Sequence, residues 1–143
     1  MNKILENENI VNMRTSLSAD DFLYGIIAAL SANEHKRISA TQRDLHYAFY
    51  KVLKRLNESE FKSVIDVDLS KVDYDPLYGL SRWFDRALTR AQRDFLVSFP
   101  NPSYNLIEIS IGKSESEKML SGFGSKETIL KLATLFHDEI AVS

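Results

Sequence analysis

The chain has 143 residues, of which 44% are hydrophobic and 27% are charged, so it is long enough and apolar enough to fold as one domain. It contains no cysteine, which excludes disulfides and thiolate-ligated zinc, and no apolar run approaches the roughly 18 residues of a membrane span. Because its first residues do not resemble a targeting peptide, a cytoplasmic location is expected.

The formal net charge of -2 conceals three blocks of charge. Residues 36–57 hold six basic side chains and one acidic one, and residues 76–94 hold four arginines and two aspartates. Residues 58–75 reverse the sign, with six acidic side chains and two lysines. The total argues against indiscriminate nucleic-acid binding, but each basic block can bind an anionic partner.

The first half of the chain predicts an arm, two helices and a short extended stub. Ser18 with Asp21, and Thr41 with Asp44, have the spacing of helix caps, and apolar residues at helical spacing follow each pair. Ser39 is an alternative cap for the second helix. In chain order we expect an arm over residues 1–17, a helix to about Ala32, a stub over residues 37–39 and a helix to about Leu56.

The second half predicts a strand, a helix, a hairpin and two further helices. Pro76 suits the first turn of a helix, so a third helix is expected from about Pro76 to Asp94. Aromatic and β-branched residues on both sides of Pro100 and Pro102 predict a β-hairpin. The other expected elements are a strand within residues 61–72, hairpin strands at 95–99 and 104–111, a short helix capped by Ser114 and Glu117, and a last helix after Ser125.

The third predicted helix carries a stripe of arginines. Arg82, Arg86, Arg90 and Arg93 are four, four and three residues apart, which places them within an arc of about 80°. Like charges at this spacing repel, so the stripe needs an anion, either a nucleic-acid phosphate or the protein's own acids in residues 58–75. The opposite, apolar side of the helix is expected to be buried: Leu80, Phe84, Ala87, Leu88, Ala91 and Phe95.

A second basic face is predicted on the second helix. It combines basic and aromatic side chains, a mixture that suits contacts with a nucleic-acid backbone or stacking on bases. The alternative is that its tyrosines pack under a neighbouring helix. The face consists of Arg43, Tyr47, Tyr50, Lys51 and Lys54.

The order helix, stub, helix, helix and hairpin over residues 19–111 resembles the winged-helix branch of helix-turn-helix proteins. The resemblance implies that the arginine helix enters the DNA major groove while the hairpin, the wing, contacts the backbone or the minor groove. It also implies that Asn101 and Ser103 lie at the wing tip. The chain departs from the winged-helix pattern in one respect. About 20 residues connect the second helix to the third, where winged helices usually have a tight turn. Residues 74–81 are also similar to the Panacea domains of antitoxin-associated proteins, although Leu80 stands where proline is expected.

No catalytic or metal-binding pattern stands out. The three histidines are separate in sequence, and His137, Asp138 and Glu139 point apart on a helix, so no metal or cofactor is expected. Gly122 and Gly124 are interpreted as a helix stop. The only hydrolase hypothesis rests on carboxylates within residues 66–75, of which Asp66 and Asp68 share one face of the predicted strand.

These patterns together predict an α+β, winged-helix-like domain at residues 18–111, followed by helices at residues 112–143 that pack on it or form a dimer interface. The expected function is DNA binding with a regulatory role and no enzymatic activity. The alternatives are an antitoxin-like or adaptor module whose arginines bind an acidic protein, and a small hydrolase. Residues 126–140 are expected to form a homodimer through Ile129, Leu132, Phe136 and Ile140.

Overall fold

The structure, a computed structural model, describes residues 15–100 and 106–142, with side chains as far as residue 140. This part of the chain is a mixed α+β fold, as predicted. The helices are α1 (Ala19–Ala32), α2 (Gln42–Arg55), α3 (Ser59–Lys62), α4 (Arg82–Arg93), α5 (Lys113–Ser121) and α6 (Lys126–Val142). The strands are β1 (Thr15–Ser18), β2 (Arg37–Ser39), β3 (Ile65–Asp68), β4 (Val97–Ser98) and β5 (Leu106–Ile109). None of these helices is long and apolar enough to cross a membrane.

The first two helices begin where their caps predict. The Ser18 hydroxyl accepts the amide of Asp21 at 3.1 Å, and the Thr41 hydroxyl accepts the amide of Asp44 at the same distance. These bonds satisfy amides that have no partner within the helix. Helix α1 is the centre of the core, and its large apolar side chains are almost completely buried, while α5 and α6 pack against it.

A three-stranded antiparallel sheet joins the stub to the hairpin. Its strand order is β2-β5-β4, with Ile38 opposite Ile107 and Val97 opposite Ile109. The predicted hairpin is therefore confirmed, although β4 has only two residues. The predicted wing-tip residues Asn101 and Ser103 lie outside the described residues.

A separate parallel pair joins β1, which precedes α1, to β3, which lies in the connection between α2 and α4. Thr15 lies opposite Ile65, and Ser18 lies opposite Asp68. The predicted strand within residues 61–72 is confirmed, and the short helix α3 precedes it. The predicted arm ends differently from the expectation, because residues 15–17 belong to β1. Residues 1–14 lie outside the described part.

The third helix begins at Arg82, so the predicted start at Pro76 is wrong. The Asp75 carboxylate accepts the amides of Leu77 at 2.9 Å and Tyr78 at 3.4 Å, which folds this segment into a turn. Gly79 reverses the chain with φ +69°, and a Cβ there would lie 2.7 Å from the Arg43 side chain. The sequence pattern missed this turn because its residues also fit the helical spacing.

The end of α4 also differs from the prediction. Phe95 was expected on the buried face, but it has φ +63° and its side chain is 83% exposed. The amide of Leu96 donates a hydrogen bond to the carbonyl of Ala91 at 2.9 Å, and this bond ends the helix with Phe95 turned outward. Leu80, expected on the same face, precedes the helix and is 38% exposed. The other predicted members of that face, Phe84, Ala87, Leu88 and Ala91, are buried.

The two C-terminal helices pack onto the rest of the chain. Helix α5 begins after Gly112 without a side-chain cap, so the predicted cap at Ser114 is wrong. Helix α6 packs across α1 and α2. The residues predicted to form a dimer interface line this internal contact: Ile129, Leu132 and Phe136 are buried and Ile140 is partly buried against the same core. The protein's own helices therefore cover most of this stripe, and of the four residues Ile140 alone remains partly exposed.

Candidate nucleic-acid interface

Two hydrogen bonds hold α4 to α1 beside the arginine stripe. Near its start, the indole Nε1 of Trp83 donates to Asp20 at 2.8 Å. At its end, the Tyr24 hydroxyl donates to Asp94 at 2.7 Å, and burial together with this bond raises the pKa of Tyr24 to about 12. The tyrosine therefore stays protonated and keeps donating at neutral pH. Both ends of the arginine helix are thus fixed to the core helix.

The arginine stripe faces outward, and all four of its side chains are exposed. Arg90 forms an ion pair with Asp20 in the first turn of α1. The other members, Arg82, Arg86 and Arg93, form no ion pair with any described residue. The stripe therefore retains three guanidinium groups that a solvent-side anion can reach.

The acidic segment 58–75 does not neutralise the stripe in the way the sequence allowed. Glu58 pairs with Arg55, and Glu60 pairs with Lys131 on α6. Asp75 holds the turn before α4. Among the described residues, Arg90 is the one member of the stripe that forms an ion pair with the protein's own acids, and its partner Asp20 comes from α1 rather than from residues 58–75.

Asp73 occupies the N-terminus of α4. Its carboxylate accepts the amide of Trp83 at 2.8 Å and that of Arg82 at 3.2 Å, and the Ser81 hydroxyl donates to it at 3.3 Å. Partial burial works to raise the pKa of Asp73, but the amide bonds outweigh burial and hold the pKa below its ordinary value. Because this carboxylate already fills the helix N-terminus, an anion would have to bind through the arginine side chains.

A charged cleft of about 540 Å³ lies along one flank of the stripe. Arg86 and Arg90 line one side of it, while Asp20, Asp21 and Asp68 contribute carboxylates. Exposed ion pairs are weak, typically below about 1 kcal/mol, so a phosphate can compete with these acids. The positive charge that the stripe presents to solvent therefore depends on Asp20 and Asp21 in the first turn of α1.

The second predicted basic face is largely engaged within the protein. Tyr74 stacks on Tyr50 with ring centroids 4.1 Å apart, and it also contacts Tyr47 at 6.4 Å. Lys51 lies 3.7 Å from Glu139, and Lys54 lies over the Tyr50 ring. Tyr50 therefore packs against Tyr74, which lies in a loop and not in a neighbouring helix, whereas Tyr47 is 44% exposed. Arg43 packs against Gly79 and remains exposed.

The carboxylates of the hydrolase hypothesis do not share a cavity. Asp66 and Asp68 lie on one face of β3, as predicted, but Asp68 borders the charged cleft while Asp73 caps α4. His35 and His137 stack with ring centroids 3.8 Å apart, a contact that the sequence did not predict. Within residues 15–100 and 106–142, no group of three or more histidine, aspartate or glutamate side chains could hold a metal ion.

Sequence reasoning missed two residues of this region, Asp20 and Asp73. Asp20 lies more than 60 residues from the α4 side chains that it contacts, and Asp73 reaches the start of α4 across a turn that the sequence pattern did not predict. Comparison of the chain with models of protein families, with curated proteins and with solved structures found no match.

Proposed function

We propose that this protein binds double-stranded DNA through the arginine face of α4. The observation that carries the proposal is that Arg82, Arg86 and Arg93 are exposed and form no ion pair within the described part of the chain. At 1.5 Å per residue the stripe extends about 16 Å along the helix axis, so several phosphates lie within its reach. Four arginines with no lysine among them also suit bidentate contacts with phosphate or guanine.

We further propose that the arrangement is winged-helix-like. Support comes from β2, which lies between α1 and α2 in sequence and pairs with β5 of the hairpin. The helices, the stub and the hairpin of the resemblance therefore belong to one connected unit. In this proposal α3 and β3 are an insertion before the recognition helix, and the hairpin steadies the complex. The protein acts by occupying DNA, which is a regulatory role without chemistry.

Fluorescence anisotropy with a random duplex tests the proposal. Replacement of Arg82, Arg86 or Arg93 by alanine should lower affinity for every duplex, and each should reduce the slope of log affinity against log salt by about 1. Lys118→Ala is the matched control, because it removes one exposed positive charge from α5. Wild-type protein that binds no duplex at about 50 mM salt would overturn the proposal.

A second candidate is a protein-interaction module of the antitoxin or adaptor type. The exposed turn before α4 favours it, since Leu77 is 75% exposed and Tyr78 is 67% exposed. Exposed apolar side chains beside arginines suit a partner with an apolar centre and acidic rim. Such a complex should survive heparin and should weaken in Leu77→Ala and Tyr78→Ala, whereas a duplex complex should be displaced by heparin and be little affected by these two changes.

A further inference from the structure

A cavity of about 400 Å³ lies between the first turns of α2 and the flank of α4. This volume falls within the range of small-molecule sites, about 300–1,000 Å³. Its lining is mixed, with apolar walls and several polar groups. The lining includes Gln42, Leu45, His46, Asp85, Leu88 and Gln92.

His46 is the buried polar group of this cavity, with only 2% of its surface exposed. Its Nδ1 accepts the backbone amide of Ser81 at 2.8 Å, so the neutral ring carries its proton on Nε2. Burial lowers the pKa of His46, and the nearby carboxylates of Asp85 and Asp73 only partly oppose this effect. The ring is therefore neutral at pH 7.

The Nε2–H of His46 has no hydrogen-bond partner among the described residues, whereas its Nδ1 edge is turned towards Ser81. This nitrogen is not one of the fully buried side-chain atoms that lack a partner in the described part of the chain. Because His46 lines the cavity, we assign the donor to the cavity side of the ring. It is a fixed hydrogen-bond donor that an entering molecule can meet.

The remaining lining defines what such a molecule must carry. The Asp85 carboxylate requires a donor, and the amides of Gln42 and Gln92 can each donate and accept. Leu45 and Leu88 supply apolar contact for a ring face. A flat heterocycle with neighbouring carbonyl and N–H groups meets all three requirements.

We propose that this cavity binds a small neutral heterocycle of the nucleobase type, which accepts from His46 Nε2–H and donates to Asp85. The proposal does not depend on DNA binding, because none of the four arginines lines the cavity. Asp85 and Gln92 nevertheless belong to the arginine helix, so a bound ligand lies next to that face.

Titration of ¹⁵N-labelled protein with uridine, cytidine, adenosine and inosine tests the site. At least one nucleoside should shift the side-chain amide resonances of Gln42 and Gln92 and the His46 ring resonances. The corresponding N-methylated base, 1,3-dimethyluracil for uridine, lacks the N–H donor and should bind at least about tenfold more weakly. No shift with any of the four nucleosides would overturn the proposal.

Two variants separate this cavity from other sites. Asp85→Ala should weaken binding about tenfold or more. Thr89 also lines the cavity, so Thr89→Trp should abolish binding by filling it. The control is Thr134→Trp on α6, because both threonine hydroxyls bond the carbonyl four residues earlier. Unchanged binding in Asp85→Ala and Thr89→Trp would overturn the proposal. His46→Phe is a poorer test, since it removes the acceptor of the Ser81 amide.

A parallel titration with a short single-stranded oligonucleotide distinguishes a free ligand from a base held in a strand. Whether the base is free or part of a strand, its binding should shift the side-chain resonances of Gln42, Gln92 and His46. Shifts with the nucleoside alone assign a free ligand, whereas shifts at much lower oligonucleotide concentration, lost in Thr89→Trp, assign a base within a strand. Oligonucleotide shifts that persist in Thr89→Trp, with no nucleoside shifts, count against the site.

Discussion

Trp83 and Asp20 are joined by a hydrogen bond of 2.8 Å between the indole Nε1 and one carboxylate oxygen, while the other oxygen of Asp20 contacts Arg90. One side chain in the first turn of α1 therefore performs two tasks. It fixes the start of α4, and it neutralises one member of the arginine stripe. These tasks can be separated by substitution.

Asp20→Asn should raise affinity for a random duplex about twofold to fivefold. The asparagine oxygen can still accept from Trp83, whereas the charge that competes for Arg90 is lost, and an exposed ion pair is worth up to about 1 kcal/mol. Fluorescence anisotropy at low salt measures the change. Asp21→Asn is the matched control, since it makes the same charge change one residue away. Equal effects from both variants would show that net charge, and not release of Arg90, is responsible.

Acidification should destabilise the protein through His46. Burial holds the pKa of His46 below its usual value of about 6.5, so the unfolded chain binds a proton at a pH where the folded chain does not. Stability from this group is complete above about pH 6.5 and is lost as the pH falls through the lower, folded-state pKa. The pKa of His35 is also lowered, by burial and by His137, and acts in the same direction.

Thermal melts at pH 7, 6 and 5 measure this effect. The His46→Gln variant keeps an acceptor for the Ser81 amide but has no proton to gain. It should be less stable than the wild type at pH 7, and the difference should narrow towards pH 5. Parallel curves for the two proteins would contradict the assignment.

Phe95→Gly should stabilise the fold. A non-glycine residue at φ +63° is strained, and the exposed phenyl ring makes little compensating contact, so glycine should gain about 0.5–1 kcal/mol. Chemical denaturation measures the gain. Phe95→Ala serves as the control, because it removes the ring but keeps the strain. If the alanine variant is as stable as the glycine variant, backbone strain is not the cause.

Leu132→Ala should cost about 2–5 kcal/mol of stability and leave the oligomeric state unchanged. Leu132 is completely buried between α6 and the core, so the substitution leaves a cavity inside one chain. Denaturation and light scattering together measure both quantities. A change from dimer to monomer with little loss of stability would instead support the sequence-based interpretation of this helix as a dimer interface.

Local chemistry made much of the fold predictable. Ser18 and Thr41 mark the starts of α1 and α2 because each cap needs only residues within one turn. The outward face of Arg82, Arg86, Arg90 and Arg93 likewise follows from spacing alone. In each of these cases, the interacting residues lie within about ten positions of one another in the sequence.

The errors share a different cause. The turn at Asp75 and Gly79 and the exposure of Phe95 depend on backbone conformations that residue spacing does not encode. The pairing of Arg90 with Asp20 and the packing of α6 on α1 and α2 involve partners distant along the chain, and the capping of α4 by Asp73 depends on the unpredicted turn between them. The cavity beside His46 is of this kind too, because the Nδ1 edge of His46 is occupied only when Ser81 arrives from the long connection.

The parallel pairing of β1 with β3 has a consequence for the order of folding. Thr15 pairs with Ile65, 50 positions later in the sequence, and both α1 and α2 lie between them. The helices form through local contacts, whereas this pair must close a long loop before its contacts stabilise it, so we expect it to form late on the folding pathway. During synthesis β1 is made first and gains its partner only when β3 follows the two intervening helices. Amide hydrogens of β1 and β3 are expected to gain protection after those of α1 in pulse-labelled refolding.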